Sequence, residues 1–312
     1  MNIKLFDWLI FIVLALIWGS SFILMKIGLD NQLSAYHIAS LRIFSAGIVL
    51  LPVAVKAIKN IPLQKCWLVF LSGTLGSLLP AFLFCIAEES IDSALAGTLN
   101  SLTPIFVIIT GALFFNIKTP PNKIIGIIVA FTGCVLLLFS KGHMQNKQLS
   151  YAGFVVLATL LYGFNVNMVS RNLLHISSLH ITAVSISFNA MLALIVLIFT
   201  GFFNLPLRNP GIFKGTLAAI SLGIMGTAVA TVLFYMLVKR ASSIFATMVT
   251  YAIPFVAIGW GFFYKEDISW KQIACLFVIL SGVYIANKKQ VTNNTNKKED
   301  HLVGQSSFEK KY

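Results

Sequence analysis

A few polar side chains stand inside long apolar runs, where no water reaches them. Ser20 and Ser21 lie in the first run, Asn100 in the fourth, and Tyr162 and Asn165 in the sixth. Tyr235 lies in the eighth and Tyr251 in the ninth, and Trp18 stands beside the two serines. Within hydrocarbon, a hydroxyl or amide must find a partner, so such groups turn toward the interior of a helix bundle. A hydrogen bond between helices is the commonest use of any single one. As a set near one axis, they are candidates for contact with a small solute, with Trp18 as an apolar wall. Arg42 is the one ionisable group well inside a run. It lies about 10 Å along its helix from Tyr36, at about 1.5 Å per residue. From there it either snorkels to the interface or holds a fixed positive charge that steers a substrate carboxylate or closes a gate. Pro104 and Pro254 fall midway along the fourth and ninth runs. Each removes a helical hydrogen bond and frees a carbonyl, as a static kink or as a bend that moves during gating.

The acidic residues are informative by where they are missing. Asp7, Asp30, Glu88, Glu89, Asp92, Glu266 and Asp267 sit at run ends or in loops, and the other three of the ten follow residue 298. Proton relays and cation sites usually place a carboxylate at the membrane centre. A neutral, zwitterionic or anionic solute therefore fits better than a strongly cationic one. Cys66, Cys85, Cys134 and Cys275 have no CxxC spacing and read as small apolar thiols. There is no HExxH, GxSxG or Walker A sequence, so the reading is a non-enzyme with no metal and no cofactor.

These side chains must be carried by membrane-spanning helices. Of 312 residues, 58% are hydrophobic and 11% charged, and the mean hydropathy is +0.88. A soluble domain carries about twice that charged fraction. Punctuation by charged, Pro and Asn residues predicts ten spans, near 8–26, 35–55, 66–86, 93–115, 122–140, 150–170, 178–202, 213–237, 242–263 and 271–287. The net charge of +13 sits in the gaps and the tail rather than in a groove, which argues against a nucleic-acid partner. Residues 288–312 are rich in Asn, Lys, Gln and Ser, and read as a disordered cytoplasmic tail. Loop Lys and Arg number nine on the side of the N-terminus and seven on the other, so both termini are expected in the cytoplasm.

The chain also repeats itself. Gly73-Thr74-Leu75-Gly76 matches Gly223-Ile224-Met225-Gly226 at an offset of 150, which also pairs Phe84 with Phe234 and Pro104 with Pro254. Trp18-Gly19 matches Tyr162-Gly163 at 144, and His37-Ile38 matches His180-Ile181 at 143. The expectation is an all-α integral membrane protein, with one five-helix repeat over 1–147 and a second over 148–287. Each repeat has an odd number of spans, so the second copy is inverted, as in many secondary transporters.

Trp18-Gly19-Ser20-Ser21-Phe22, Leu41-Arg42 and Ser101-Leu102-Thr103-Pro104 resemble motifs of the drug/metabolite transporter superfamily, in its ten-helix EamA-type branch. Gly226-Thr227-Ala228, Tyr251-Ala252-Ile253-Pro254 and Glu266 resemble the same pattern in the second half. The resemblance implies an inner-membrane exporter or permease for amino acids, other small metabolites or drug-like compounds. Such a carrier works by alternating access, with a small-molecule substrate and the lipid bilayer as partners. Its oligomeric state stays open, a monomer included. The rival readings are a nucleotide-sugar, phosphate-ester or drug carrier of the same fold, and further off a channel or scramblase-like protein.

Overall fold

In the computed structural model of the chain the described residues are 4–91, 93–139, 146–263 and 270–287. Asp92, Glu266, Asp267 and the 288–312 tail lie outside them. All regular structure among the described residues is helical. α1 covers Leu5–Asp30, α2 Ala35–Asn60, α3 Leu63–Glu88, α6 Asn146–Asn172, α7 Ser178–Phe199 and α8 Pro210–Arg240. α4 is made of two pieces, Ser93–Asn100 and Thr103–Phe115. α5 covers Pro121–Phe139 and α10 Trp270–Asn287, and α9 runs in segments from Ser243 to Phe263. Among the described residues seven helices are long and apolar enough to cross a membrane, and shorter apolar helices in α5, α9 and α10 bring the spans to the expected ten.

Local sequence sets the helix starts. The Ser34 hydroxyl accepts from the His37 amide at 3.2 Å, which caps α2. Asn209 accepts from the Gly211 amide at 2.9 Å, and Pro210 occupies the first turn of α8, where its missing N–H costs nothing.

Glycine sets how closely the halves approach. A Cβ on Gly47 of α2 would lie 2.3 Å from the Ala190 Cβ on α7. Those two residues are each other's counterparts at the 143-residue offset, so the contact lies where the repeats meet themselves. A Cβ on Gly73 would lie 2.7 Å from the Ser185 carbonyl oxygen, and one on Gly223 2.4 Å from the Arg42 carbonyl oxygen. Gly223 is the counterpart of Gly73, and Ser185 of Arg42. The same exchange links α5 and α10 at an offset of 149. A Cβ on Gly133 would meet Ile279 N at 2.9 Å and Cys275 O at 3.1 Å, and one on Gly282 would meet Ala130 N at 2.3 Å and Gly126 O at 2.5 Å. Reciprocal contacts of this kind are what a twofold relation between repeats produces. Small residues permit them, because packing at close range replaces the hydrophobic drive that lipid removes.

Two irregularities recur at matched places. α3 widens into a π-helix at Thr74–Leu78, and α8 does so at Leu222–Val229. α4 breaks at Ser101–Leu102, and α9 tightens into a 3-10 segment at Met248–Ala252. The expected mid-helix proline kinks are corrected here: the chain has already left the α-helix before each proline. Pro104 stands in the first turn of the second piece of α4, where no N–H is needed. The Asn100 carbonyl that it frees accepts from the Thr103 hydroxyl at 2.7 Å. The Thr250 carbonyl, four residues before Pro254, accepts from the Ser101 hydroxyl at 3.3 Å. That bond ties the two broken helices together across the halves.

Candidate functional site

The π-turns and the helix breaks face one cavity at mid-height between the halves. It bounds about 780 Å³ of atom-free space, its open mouth included. A space of that size suits one small organic molecule. Among the described residues, seven helices contribute to its wall, and α5, α7 and α10 do not.

From α1 come Trp18, Ser21, Phe22 and Met25. The Trp18 indole N–H donates to the Gly226 carbonyl at 3.1 Å, and its ring lies 5.2 Å from that of Phe234. Arg42 enters from α2, and its Nε donates to the Thr227 hydroxyl on α8 at 2.7 Å. The snorkelling alternative is set aside by that bond, which turns the guanidinium inward. From α3 come Gly76, Ser77 and Phe84. A Cβ on Gly76 would lie 2.1 Å from Asn165 Nδ2 and 3.0 Å from the Tyr235 hydroxyl, so glycine there is what lets α6 and α8 close over the π-turn.

Tyr162 and Asn165 line the cavity from α6, one turn apart. Tyr162 stacks on Phe84 with ring centres 6.2 Å apart. Asn165 Nδ2 donates to the Tyr235 hydroxyl at 3.0 Å, and Tyr235 donates onward to the Ser72 carbonyl at 3.4 Å. α4 and α9 add Asn100, Thr103, Thr247, Thr250 and Ile253.

Of the residues singled out in the sequence, the fold therefore brings Trp18, Ser21, Arg42, Asn100, Tyr162, Asn165 and Tyr235 to one cavity. Two expected contacts lie elsewhere. Ser20 is about 100° around α1 from Ser21, and its hydroxyl accepts from the Trp260 indole at 2.9 Å. Tyr251 is buried, and its hydroxyl donates to the Ile127 carbonyl of α5 at 3.2 Å. Pro104 and Pro254 are not wall residues, though Thr103 and Ile253 beside them are. Sequence reasoning missed Met25, Ser77, Thr103, Thr231, Thr247 and Thr250. The free hydroxyl of a helical Ser or Thr carries little signal, because it can satisfy itself on a carbonyl one turn back. Thr247 does so on the Ser243 carbonyl at 3.0 Å.

Contacts cross the end of the bundle nearest the N-terminus. Arg240 pairs with Asp7 at 2.7 Å, and the Phe245 ring packs on Trp8 at 5.1 Å and on Phe11 at 5.5 Å. Cations there donate to carbonyls at the ends of α4 and α6 and in the loop after α6. Lys65 donates to the Asn172 carbonyl at 2.9 Å, Arg171 to that of Phe115 and Lys239 to that of Ile176. At the opposite end Lys26, Asp30, Glu88 and Glu89 line a recess. Glu89 there accepts from the Ala35 amide at 3.3 Å, at the start of α2.

A ten-span bundle with a mid-height cavity between two similar five-helix halves defines the class: a multi-pass membrane transporter. The sequence pattern of the EamA-like transporter family matches residues 6–139 and again residues 149–288, and the chain belongs to that family. A protein of Archaeoglobus fulgidus named uncharacterized transporter is 26% identical to it, over 91% of this chain and 99% of that one. Protein PagO of Salmonella typhimurium is 22% identical, over 89% of this chain and 91% of its own. The uncharacterized inner membrane transporter YedA of Escherichia coli K12 is 24% identical, over 78% of each chain. A protein solved by crystallography shares the fold at a TM-score of 0.69 and 17% identity, covering 89% of this chain and 95% of that one.

Proposed function

We propose that this transporter carries a small neutral, zwitterionic or anionic metabolite, such as an amino acid, across the inner (plasma) membrane by alternating access. The observation that carries the reading is the cavity itself: mid-height, walled by both halves, and flanked by a π-turn from each. π-turns gather at functional sites because they loosen the helical ladder locally. The reciprocal glycine contacts support an inverted relation between residues 1–147 and 148–287, and rocking of one half on the other would move the opening between faces. The basic end formed by Lys65, Arg171, Lys239 and Arg240 supports a cytoplasmic N-terminus by the positive-inside rule. The contacts of Asp7 with Arg240 and of Phe245 with Trp8 and Phe11 lie at that same end, and they support a reading in which the cavity is closed on the side of the N-terminus.

The test is counterflow of labelled neutral amino acids in proteoliposomes, with and without a pH gradient, for wild type and Asn100→Ala. Saturable exchange that ignores the gradient and weakens in the variant is the expected result. Exchange driven by the gradient would overturn the argument from the missing mid-membrane carboxylate.

A further inference from the structure

The cavity presents two polar groups that the fold leaves unspent. The first is the outer edge of the Arg42 guanidinium. Its Nε is taken by Thr227, while the two terminal nitrogens have no partner among the described residues. That remaining pair of parallel N–H groups is the fork that matches the two oxygens of a carboxylate. The Thr227 hydroxyl accepts from Arg42, so its own proton points away from that bond and adds a third donor. No carboxylate lies among the described wall residues to neutralise the charge. A cation held in a low-dielectric wall is costly without an anion beside it, and a solute carboxylate entering the cavity would supply one.

The second is Asn165 Oδ1, which is buried and unpartnered. The residue is 2% exposed and lines the same cavity. Its amide orientation is fixed by a chain of donors. Tyr235 has one hydroxyl proton and directs it to the Ser72 carbonyl, so the hydroxyl must accept from Asn165 Nδ2. Gly76, with no Cβ, leaves room for that nitrogen, and the oxygen remains the free acceptor. A buried acceptor without a donor is destabilising, and a donor brought by a ligand would relieve it.

We infer that Arg42 with Thr227, and Asn165 in the wall of the same cavity, form a two-point clamp for an organic monocarboxylate that also carries a hydrogen-bond donor. Amino and hydroxy acids with an apolar body are the class that meets all of its features. The body would lie against Trp18, Phe22, Met25, Phe84 and Phe234. A phosphate ester fits less well, since about two negative charges would meet one cation. The inference rests on reading the cavity as the solute site, and it assigns the polar ends of the solute to particular side chains.

Thermal unfolding of the purified full chain in detergent, with three matched series of ligands, tests it. L-leucine, L-phenylalanine and L-tryptophan are compared with their amides, which lack the carboxylate, and with their des-amino acids, which lack the donor. At least one amino acid should raise the midpoint, its amide should not, and its des-amino acid should need about tenfold more ligand. In Asn165→Ala the amino and des-amino acids should converge. Arg42→Gln should weaken the acid ten- to hundredfold, and Arg42→Lys should restore part of it, as a point charge without the fork. If Arg42→Gln does not fold, the acid-against-amide comparison in wild type still decides. Equal protection by acid and amide, or no protection by any acid, overturns the clamp. Protection without counterflow in proteoliposomes would leave the clamp standing and overturn the carrier reading instead.

Discussion

Trp18 donates its indole N–H to the Gly226 carbonyl at 3.1 Å, joining the first helix of one half to the π-turn of the other. A π-turn disturbs the i→i−4 ladder, so carbonyls there need outside donors. Trp18→Phe keeps most of the ring and removes only the donor. It should cost about 1 kcal/mol, seen as a lower unfolding midpoint in detergent. Trp18→Ala also removes the contact with Phe234, and should cost more while weakening solute affinity. Equal midpoints for wild type and Trp18→Phe would show that the bond adds nothing to stability.

The glycines at the crossings of α2 with α8 can be tested against one that touches nothing. A Cβ on Gly223 would sit 2.0 Å from Ser45 Oγ and 2.4 Å from the Arg42 carbonyl oxygen, and backbone has to move to admit it. Gly223→Ala should therefore destabilise by about 1–3 kcal/mol. It should also weaken solute binding, because the shifted backbone carries Arg42. Gly153 has open space around its would-be Cβ. Gly153→Ala should change the unfolding midpoint little, or raise it slightly through better helix propensity.

How much of this was legible follows from what a sequence encodes directly. Span number and order follow from composition, because ten apolar runs must each cross the bilayer. The repeat was legible through Gly73-Gly76 and Gly223-Gly226, whose function depends on the absence of a side chain. Which side a residue faces was harder to read. Ser20 and Ser21 are adjacent and chemically identical, and only the packing of α1 decides that Ser21 meets the cavity while Ser20 meets Trp260. Tyr251 shows the same limit: its hydroxyl needed a partner, and the Ile127 carbonyl is one that sequence cannot announce. The π-turns and the break at Ser101–Leu102 carry no residue signature beyond glycine and proline. They arise from competition between ladder hydrogen bonds and tertiary contacts.

The Asn165–Tyr235–Ser72 relay should be energetically coupled. Asn165→Ala and Tyr235→Phe each remove one end of a 3.0 Å bond. A double-mutant cycle on unfolding should give a coupling of about 0.6–1.7 kcal/mol, the range for such bonds within membranes. Additive effects would mean that the two side chains are held by packing alone, and the assigned direction of the Asn165 amide would lose its basis.

Asp7 accepts from the Lys4 amide at 3.0 Å and from Arg240 Nε at 2.7 Å, so one carboxylate both caps α1 and holds it to the end of α8. The Asp7 side chain is 4% exposed and that of Arg240 39%, which leaves the arginine in contact with water and limits the pair to about 1 kcal/mol. Asp7→Asn keeps an oxygen for the Lys4 amide and loses the ion pair. Arg240→Gln leaves the carboxylate charged and buried, and should be the more destabilising of the two. If this contact is a latch on the end nearest the N-terminus, its loss should raise the population opened to that side roughly fivefold, the factor that 1 kcal/mol represents. The measurement is the rate at which a thiol reagent applied from the Asp7 side labels Thr231→Cys, a wall position, in a chain whose four native cysteines are replaced. Faster labelling in Asp7→Asn, with wild-type rates from the opposite side, is the expected outcome. A lower unfolding midpoint with unchanged labelling would instead make the pair a static tie between α1 and α8. The closed end would then owe its closure to the Trp8, Phe11 and Phe245 rings, whose contact needs no charge.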